Sequence, residues 1–260
     1  MAGRMRVGIL IVLPLFLRAG AAYAGLGTIS APEAQCQQAV AQSLGKLAVA
    51  RAQCAVKCDQ NAVKGKEPAS DCTAPYAGAM FACLNDADGK AAAGMQKKCA
   101  TACPTCYAGG DCATFESSIV GLVDNTLNLQ APIVFCGGTT GLTPTEVRCR
   151  QTTAIAATKF AAALSKCYAK CHQLEVKTTI PLGLCTPPMP LEPGTAACKA
   201  KAIAKYSAMV VAKCSDAPSC LASEVTVTPQ PFPLDPLPPA IIQPIAANLT
   251  EDFDPQVFCR

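Results

Sequence analysis

Residues 36–60 read CQQAVAQSLGKLAVARAQCAVKCDQ, and residues 149–173 read CRQTTAIAATKFAAALSKCYAKCHQ. In both stretches seventeen residues and then three residues separate the cysteines, and the alanine-rich sequence between them contains no proline. Alanine is the strongest helix former, and proline would interrupt a helix. In the first stretch the apolar residues recur at spacings of three, four or seven, which places them on one helical face. Both stretches therefore predict a long helix with its cysteines along one side.

The two stretches belong to an internal duplication in which Cys36 aligns with Cys149 and Cys72 with Cys185. In this register, 14 of the 37 positions from Cys36 to Cys72 are identical, which indicates a common origin. Ser30 and Glu33, like Thr143 and Glu146, form the pattern of a capping box at a helix start. The cysteines shared by both copies, sixteen in all, are Cys36, Cys54, Cys58, Cys72, Cys83, Cys99, Cys112 and Cys136 in the first and Cys149, Cys167, Cys171, Cys185, Cys198, Cys214, Cys220 and Cys259 in the second.

The pattern predicts an all-α protein of two tandem, disulfide-stapled helical-hairpin repeats, at residues 25–140 and 141–260. The second helix of each hairpin is expected at 90–98 and at 200–213, with Cys83 and Cys198 just outside it. Proline is dense within 228–245, which favours an extended segment near the C-terminus. We interpret this segment as a surface strap, and the alternative is a ligand for an aromatic groove.

Pairing the cysteines of two antiparallel helices predicts one set of four bridges in each copy. Eight cysteines allow 105 connectivities, so the set is a geometric hypothesis. The predicted pairs are Cys36–Cys99, Cys54–Cys83, Cys58–Cys72 and Cys112–Cys136, then Cys149–Cys214, Cys167–Cys198, Cys171–Cys185 and Cys220–Cys259.

Residues 1–24 have the features of a signal peptide. Arg4 and Arg6 precede an apolar run from Val7 to Leu17, and Ala22 and Ala24 suit a cleavage site. The run is far shorter than a membrane span, so no transmembrane anchor is expected after cleavage. The exported chain would keep nineteen basic and eighteen acidic residues. This near neutrality argues against nucleic acid as a partner.

Cys103 and Cys106 are the two cysteines without a counterpart in the other copy. Their C-x-x-C spacing suits a thiol–disulfide oxidoreductase or, less well, a metal site. No βαβ pattern surrounds them, and export to an oxidising compartment favours bridges over thiolates. We interpret them as an extra structural disulfide, either local or to a neighbour, with redox chemistry as the alternative.

His172 is the only histidine of the chain. Cys167, Cys171 and His172 resemble a haem attachment site with one residue too many. In the first copy the cysteines persist while Asp59 replaces the histidine, so the cysteines serve the fold. The sequence therefore predicts an exposed His172 without a catalytic role.

Two weaker motifs are interpreted without function. Asp86, Asp88 and Gly89 partly match a calcium loop, but the final ligand is missing, so a turn between helices is expected. Asn248 begins a glycosylation sequon that we interpret as a chance match.

The scaffold resembles a known type of protein. C-x17-C-x3-C-x13-C in an alanine–lysine helix, followed by a C-x15-C helix, is similar to uncharacterised, secreted, cysteine-rich helical repeat proteins of environmental Gram-negative bacteria. Cys149, Lys159, Cys167, Cys198 and Lys205 carry the likeness. The resemblance implies a secreted or periplasmic scaffold and no particular activity.

The sequence favours a structural or interaction protein without catalytic activity, with a protein or envelope partner and with no cofactor or metal. The alternatives are an oxidoreductase using Cys103 and Cys106, and a carrier of a lipid or small apolar ligand. The lysines of the two long helices are expected to be ordinary solvated residues. These are Lys46, Lys57, Lys159 and Lys170.

Overall fold

The computed structural model describes residues 29–135, 141–185, 191–214 and 254–259. The predicted signal peptide, the Pro-rich segment and Asn248 lie outside these ranges. The described chain is all-helical, as predicted. Its elements are α1 (Ala31–Val63), a short 3-10 helix (Ala69–Cys72), α2 (Gly78–Cys99), α3 (Cys112–Val134), α4 (Pro144–Val176) and α5 (Pro193–Val211). None of the helices in these ranges combines the length and apolar character needed to cross a membrane.

The two long helices α1 and α4 have 33 residues each and begin and end at corresponding positions of the duplication. Both start with the predicted capping box, in which the Ser30 or Thr143 side chain and the glutamate at the third helical position satisfy each other's backbone amides. Pro68 and Pro181 follow the two helix ends. The corresponding stretches of sequence therefore form corresponding helices.

The shorter helices begin earlier than predicted. Both α2 and α5 include the cysteine expected outside them, Cys83 in α2 and Cys198 in α5. The expected turn at Asp86 and Asp88 is also wrong, because both residues lie within α2. Burial of Leu84, Ala87 and Ala91 against the neighbouring helices offsets the poor helix propensity of Gly89.

Helices α1 and α4 pack against each other, while α2 packs on α1 and α5 on α4. The α1–α4 pair is antiparallel: Gly45 lies against Ala162, and the Ser165 hydroxyl donates to the Ala41 carbonyl at 3.1 Å. A Cβ at Gly45 would lie 3.2 Å from the Ala162 Cβ, so glycine permits this close approach. The core therefore forms around the two long helices.

Six of the eight predicted disulfides are confirmed. The other two predictions are wrong, because Cys112 bonds to Cys103 and Cys259 bonds to Cys106. Cys136 and Cys220 lie outside the described residues. The confirmed bridges join neighbouring segments of one hairpin, as helix spacing predicts. The two errors are connected. The C-terminal end crosses to the first copy, where Cys259 bonds to Cys106, and Cys103 is then paired with Cys112.

Candidate functional site

His172 is buried, with 5% of its surface exposed, and the prediction of an exposed side chain is wrong. The residue follows Cys171 in α4, and Cys171 is tied to Cys185. A C-terminal segment, residues 254–259, covers the imidazole: Phe258 stacks on the ring with centroids 4.2 Å apart. A segment that begins 82 residues away in sequence thus hides a side chain that local spacing places at the surface.

Both ring nitrogens of His172 meet carboxylates. Nδ1 lies 2.8 Å from Glu175 Oε2, one helical turn along α4. Nε2 lies 3.0 Å from Asp254 Oδ2 of the C-terminal segment. The other oxygen of Glu175 accepts a hydrogen bond from the Gly183 amide at 2.7 Å. The cluster therefore links α4, the loop that follows it and the C-terminal segment.

The electrostatics of the cluster favour a charged imidazole. Burial by itself lowers the pKa of His172, but hydrogen bonds to Asp254 and Glu175 and the charges of these carboxylates outweigh burial. The pKa of His172 is raised above its ordinary value of 6.5 as a result. A protonated ring donates from both nitrogens, one to each carboxylate, and keeps both donors occupied.

The C-terminal segment is also held by residues of the first copy. The Tyr107 hydroxyl donates to the Val257 carbonyl, and Gln37 Nε2 donates to the Cys259 carbonyl at 2.6 Å. Val257 is buried, and burial also raises the pKa of Tyr107. Hydrogen bonds, apolar packing and the disulfide to Cys106 thus fasten the segment to both halves of the molecule.

The two cysteines of the redox hypothesis do not bond to each other. Cys103 forms a bridge to Cys112, at a sequence separation of 9, and Cys106 forms one to Cys259, at a separation of 153. Cys106 is exposed and Cys103 is half-buried. The pair therefore occupies two structural bridges, one local and one that anchors the C-terminal segment.

Among the residues that the structure describes, two groups have the composition of metal sites. Cys36, Cys99 and Cys112 form one group, and His172, Glu175 and Cys185 form the other, with candidate ligand atoms within 4.8 Å of each other. Every cysteine in both groups is in a disulfide. Because the thiolate is the form of cysteine that ligates metals, these sulfurs are not available as ligands in the oxidised protein.

A second buried cluster joins α1 to α4 at the opposite end of the helix pair. Arg150, with no exposed surface, pairs with Asp59, which is 5% exposed, at 2.5 Å. Gln151 Nε2 donates to the other Asp59 oxygen at 2.9 Å. Sequence reasoning did not predict this ion pair. The sequence does contain a signal for it, because Asp59 and Arg150 have opposite charges, whereas the corresponding positions of the other copy carry His172 and Gln37.

A third charged group ties together the helices of the first copy. Arg51 of α1 is 6% exposed and contacts Asp88 of α2 and Asp124 of α3, each at 2.6 Å. Burial raises the pKa of Asp124, and Arg51 opposes the shift. At the duplicated position the second copy has Leu164, which is fully buried. One copy therefore uses an ion cluster where the other uses apolar packing.

An apolar cleft lies beside the C-terminal segment. It is lined mainly by small side chains of α1 and α4, with Phe258 and Asp254 at one side, and its volume is about 50 Å3. Sites for small organic molecules generally occupy about 300–1,000 Å3. The cleft therefore gives the lipid-carrier hypothesis no support.

Comparisons with protein-family models, with curated proteins and with solved structures found no match. The function is therefore inferred from the residues and geometry of this chain.

Proposed function

We propose that this protein is an exported, disulfide-rich structural or binding protein without catalytic activity, working in the periplasm or outside the cell. The observation that carries the proposal is the state of His172, the only histidine in the sequence. Its two nitrogens are occupied by Glu175 and Asp254, and its ring is covered by Phe258. An imidazole held in this way stabilises the fold and has no free nitrogen to act as a general base.

The cysteines support the same proposal. Eight disulfides within the described residues fit an oxidising compartment, where such bridges persist. Thiol-based catalysis requires a thiolate, and Cys103 and Cys106 contribute their sulfurs to two different bridges. The export signal, the tandem repeat and the likeness to secreted helical repeat proteins belong to this proposal as well.

The test is performed on the full chain, expressed with residues 1–24 and recovered from the bacterial envelope and medium. Mass spectrometry maps the disulfides and counts free thiols, and insulin reduction and refolding of a scrambled disulfide protein measure thiol exchange. The proposal expects the protein in the exported fractions, with no free thiols and no turnover.

Two serine variants separate structure from redox chemistry. Cys103→Ser with Cys112→Ser removes the local bridge, and Cys106→Ser with Cys259→Ser removes the long one. If the chain is an oxidoreductase, the unmodified protein turns over and substitution of Cys103 or Cys106 abolishes the activity. Measured turnover with that dependence would overturn the proposal and establish the oxidoreductase alternative. Retention of the protein in the cytoplasm would overturn the proposed export.

A further inference from the structure

The contact between α1 and α4 differs at the two ends of the helix pair. At one end the carboxamides of Gln60 and Gln151 meet, with Gln60 Nε2 3.1 Å from Gln151 Oε1. The duplicated positions at the other end are Gln38 and Gln173. Within the described ranges, no hydrogen bond joins these two side chains, and both line an open groove of about 260 Å3. One glutamine pair therefore bridges the two helices at one end, whereas the corresponding pair at the other end lines an open groove.

The open groove carries positive charge. Lys166 and Lys170, one helical turn apart on α4, line it together with Gln42, and all three side chains are exposed. None of the residues lining the groove is acidic. In the described part of the chain, neither lysine forms a salt bridge. The groove thus presents two ammonium groups without a close counter-ion.

One carboxylate, that of Glu192, lies near this positive charge, and it accepts hydrogen bonds from the backbone at the start of α5. Lys170 contributes to lowering the pKa of Glu192. The Glu192 oxygens accept hydrogen bonds from the amides of Gly194 and Thr195 at the start of α5, and these hydrogen bonds are the larger cause of the lowered pKa. Glu192 therefore caps a helix, and among the described residues it forms no salt bridge with Lys170 that would compete with an outside anion.

The geometry points to an acidic saccharide, a sugar unit that bears a carboxylate, as the ligand of this groove. Each carboxamide offers both a donor and an acceptor, which matches sugar hydroxyls, because hydroxyls also donate and accept. A phosphodiester or a fully ionised phosphate has acceptors only and would leave the carboxamide oxygens unused. The ammonium groups pair with the carboxylate as point charges. The floor contributes Ala169 and Ser165, small side chains that leave room for a ring.

The volume limits how much of the ligand enters. About 260 Å3 is slightly below the usual range for small-molecule sites, so the groove suits one ring of a longer chain rather than a folded partner. The inference deepens the proposed binding function and rests on it, because an exported binding protein meets acidic polysaccharides at the cell surface.

The test measures binding of a trigalacturonate probe to the full oxidised protein by calorimetry at low salt. We expect binding that weakens as ionic strength rises, and about tenfold weaker binding in the double variant Lys166→Gln, Lys170→Gln. A second variant, Gln38→Ala with Gln173→Ala, weakens binding without changing the charge. The matched control is Lys57→Gln with Lys97→Gln, which removes the same charge from exposed positions on α1 and α2 and leaves binding unchanged.

Neutral galactose oligomers and polyglutamate are the comparison probes. Binding of trigalacturonate alone supports the inference. Equal binding of polyglutamate, equal loss in the control variant, or no binding of trigalacturonate by the folded protein would overturn it.

The failure of this inference can be told apart from the failure of the proposed function. Mass spectrometry of the probe after incubation detects cleavage, and the thiol-exchange assays run on the same preparation. Cleaved probe or measured thiol exchange contradicts a non-enzymatic role, whereas absent binding without any turnover contradicts only the saccharide site.

Discussion

The two ends of the α1–α4 pair solve the same packing problem in different ways. At one end, Asp59 of α1 meets Arg150 of α4 directly in a buried ion pair. At the other end, the duplicated residues His172 and Gln37 do not pair with each other. Instead, the C-terminal segment contacts both, with Asp254 on His172 and the Cys259 carbonyl on Gln37.

This difference shows how a framework with two corresponding long helices becomes asymmetric. The helices, their capping boxes and six disulfides are held in common, but a few polar substitutions decide what each end binds. A direct pair closes one end, whereas the other end depends on a segment from the far terminus. The comparison also predicts that the two ends differ in their response to substitution, to reduction and to pH.

The largest effect is expected from Arg150→Met, which leaves Asp59 buried without its cation. Removing one partner of a buried ion pair typically costs about 3–5 kcal/mol. Urea unfolding of the oxidised protein, followed by circular dichroism, measures this loss. The double variant Asp59→Leu, Arg150→Met is the control and should recover most of the stability, since no charge is then left unpaired. A single variant as stable as the parent would show that Asp59 is hydrated.

The second effect concerns the disulfide that fastens the C-terminal segment. Cys106→Ser with Cys259→Ser removes a bridge with a sequence separation of 153, and we expect a loss of about 2–4 kcal/mol. Amide hydrogen exchange at residues 254–259 should increase in this variant. The control, Cys103→Ser with Cys112→Ser, opens a loop with a separation of only 9 and should cost less. The reverse order would contradict the anchoring role of Cys106.

The third effect is a pH dependence confined to the His172 end. Because the pKa of His172 is raised in the folded protein, its contribution to stability is complete below the ordinary value of 6.5 and is lost as pH rises through the folded pKa. Urea unfolding from about pH 5.5 to about pH 9 should show this decline.

In His172→Gln the decline should disappear, and at the acidic end of the range the variant should be about 1–3 kcal/mol less stable than the parent. An Arg150→Met variant should keep the decline of stability with pH, because the substitution removes an ion pair at the opposite end of the α1–α4 pair from His172. If the parent and His172→Gln show the same slope, the imidazole is neutral in the fold.

The smallest effect distinguishes the two glutamine contacts. Gln37→Ala removes a partly buried hydrogen bond to the Cys259 carbonyl and should cost about 1 kcal/mol. Gln60→Ala removes an exposed amide pair and should cost less than about 0.5 kcal/mol. Equal costs would mean that the C-terminal segment is held without Gln37.

Much of the scaffold was predictable because it depends on local spacing. The cysteines of α1 and α4 lie on one helical face, so the bridges to α2 and α5 follow from helix geometry. The predictions for His172, Cys112 and Cys259 failed for a shared reason. Each depends on where the C-terminal segment returns, and no local pattern encodes a contact between residues 106 and 259.

By itself, the sequence determined an all-α framework with a long capped helix in each copy and six of the bridges. These features arise from helix propensity, capping and side-chain periodicity, which act over a few residues. Only the tertiary structure decided that His172 is a buried imidazole between two carboxylates and that Arg150 pairs with Asp59. Such contacts join distant parts of the chain, and burial together with the neighbouring charges sets their strength and the pKa values of the groups.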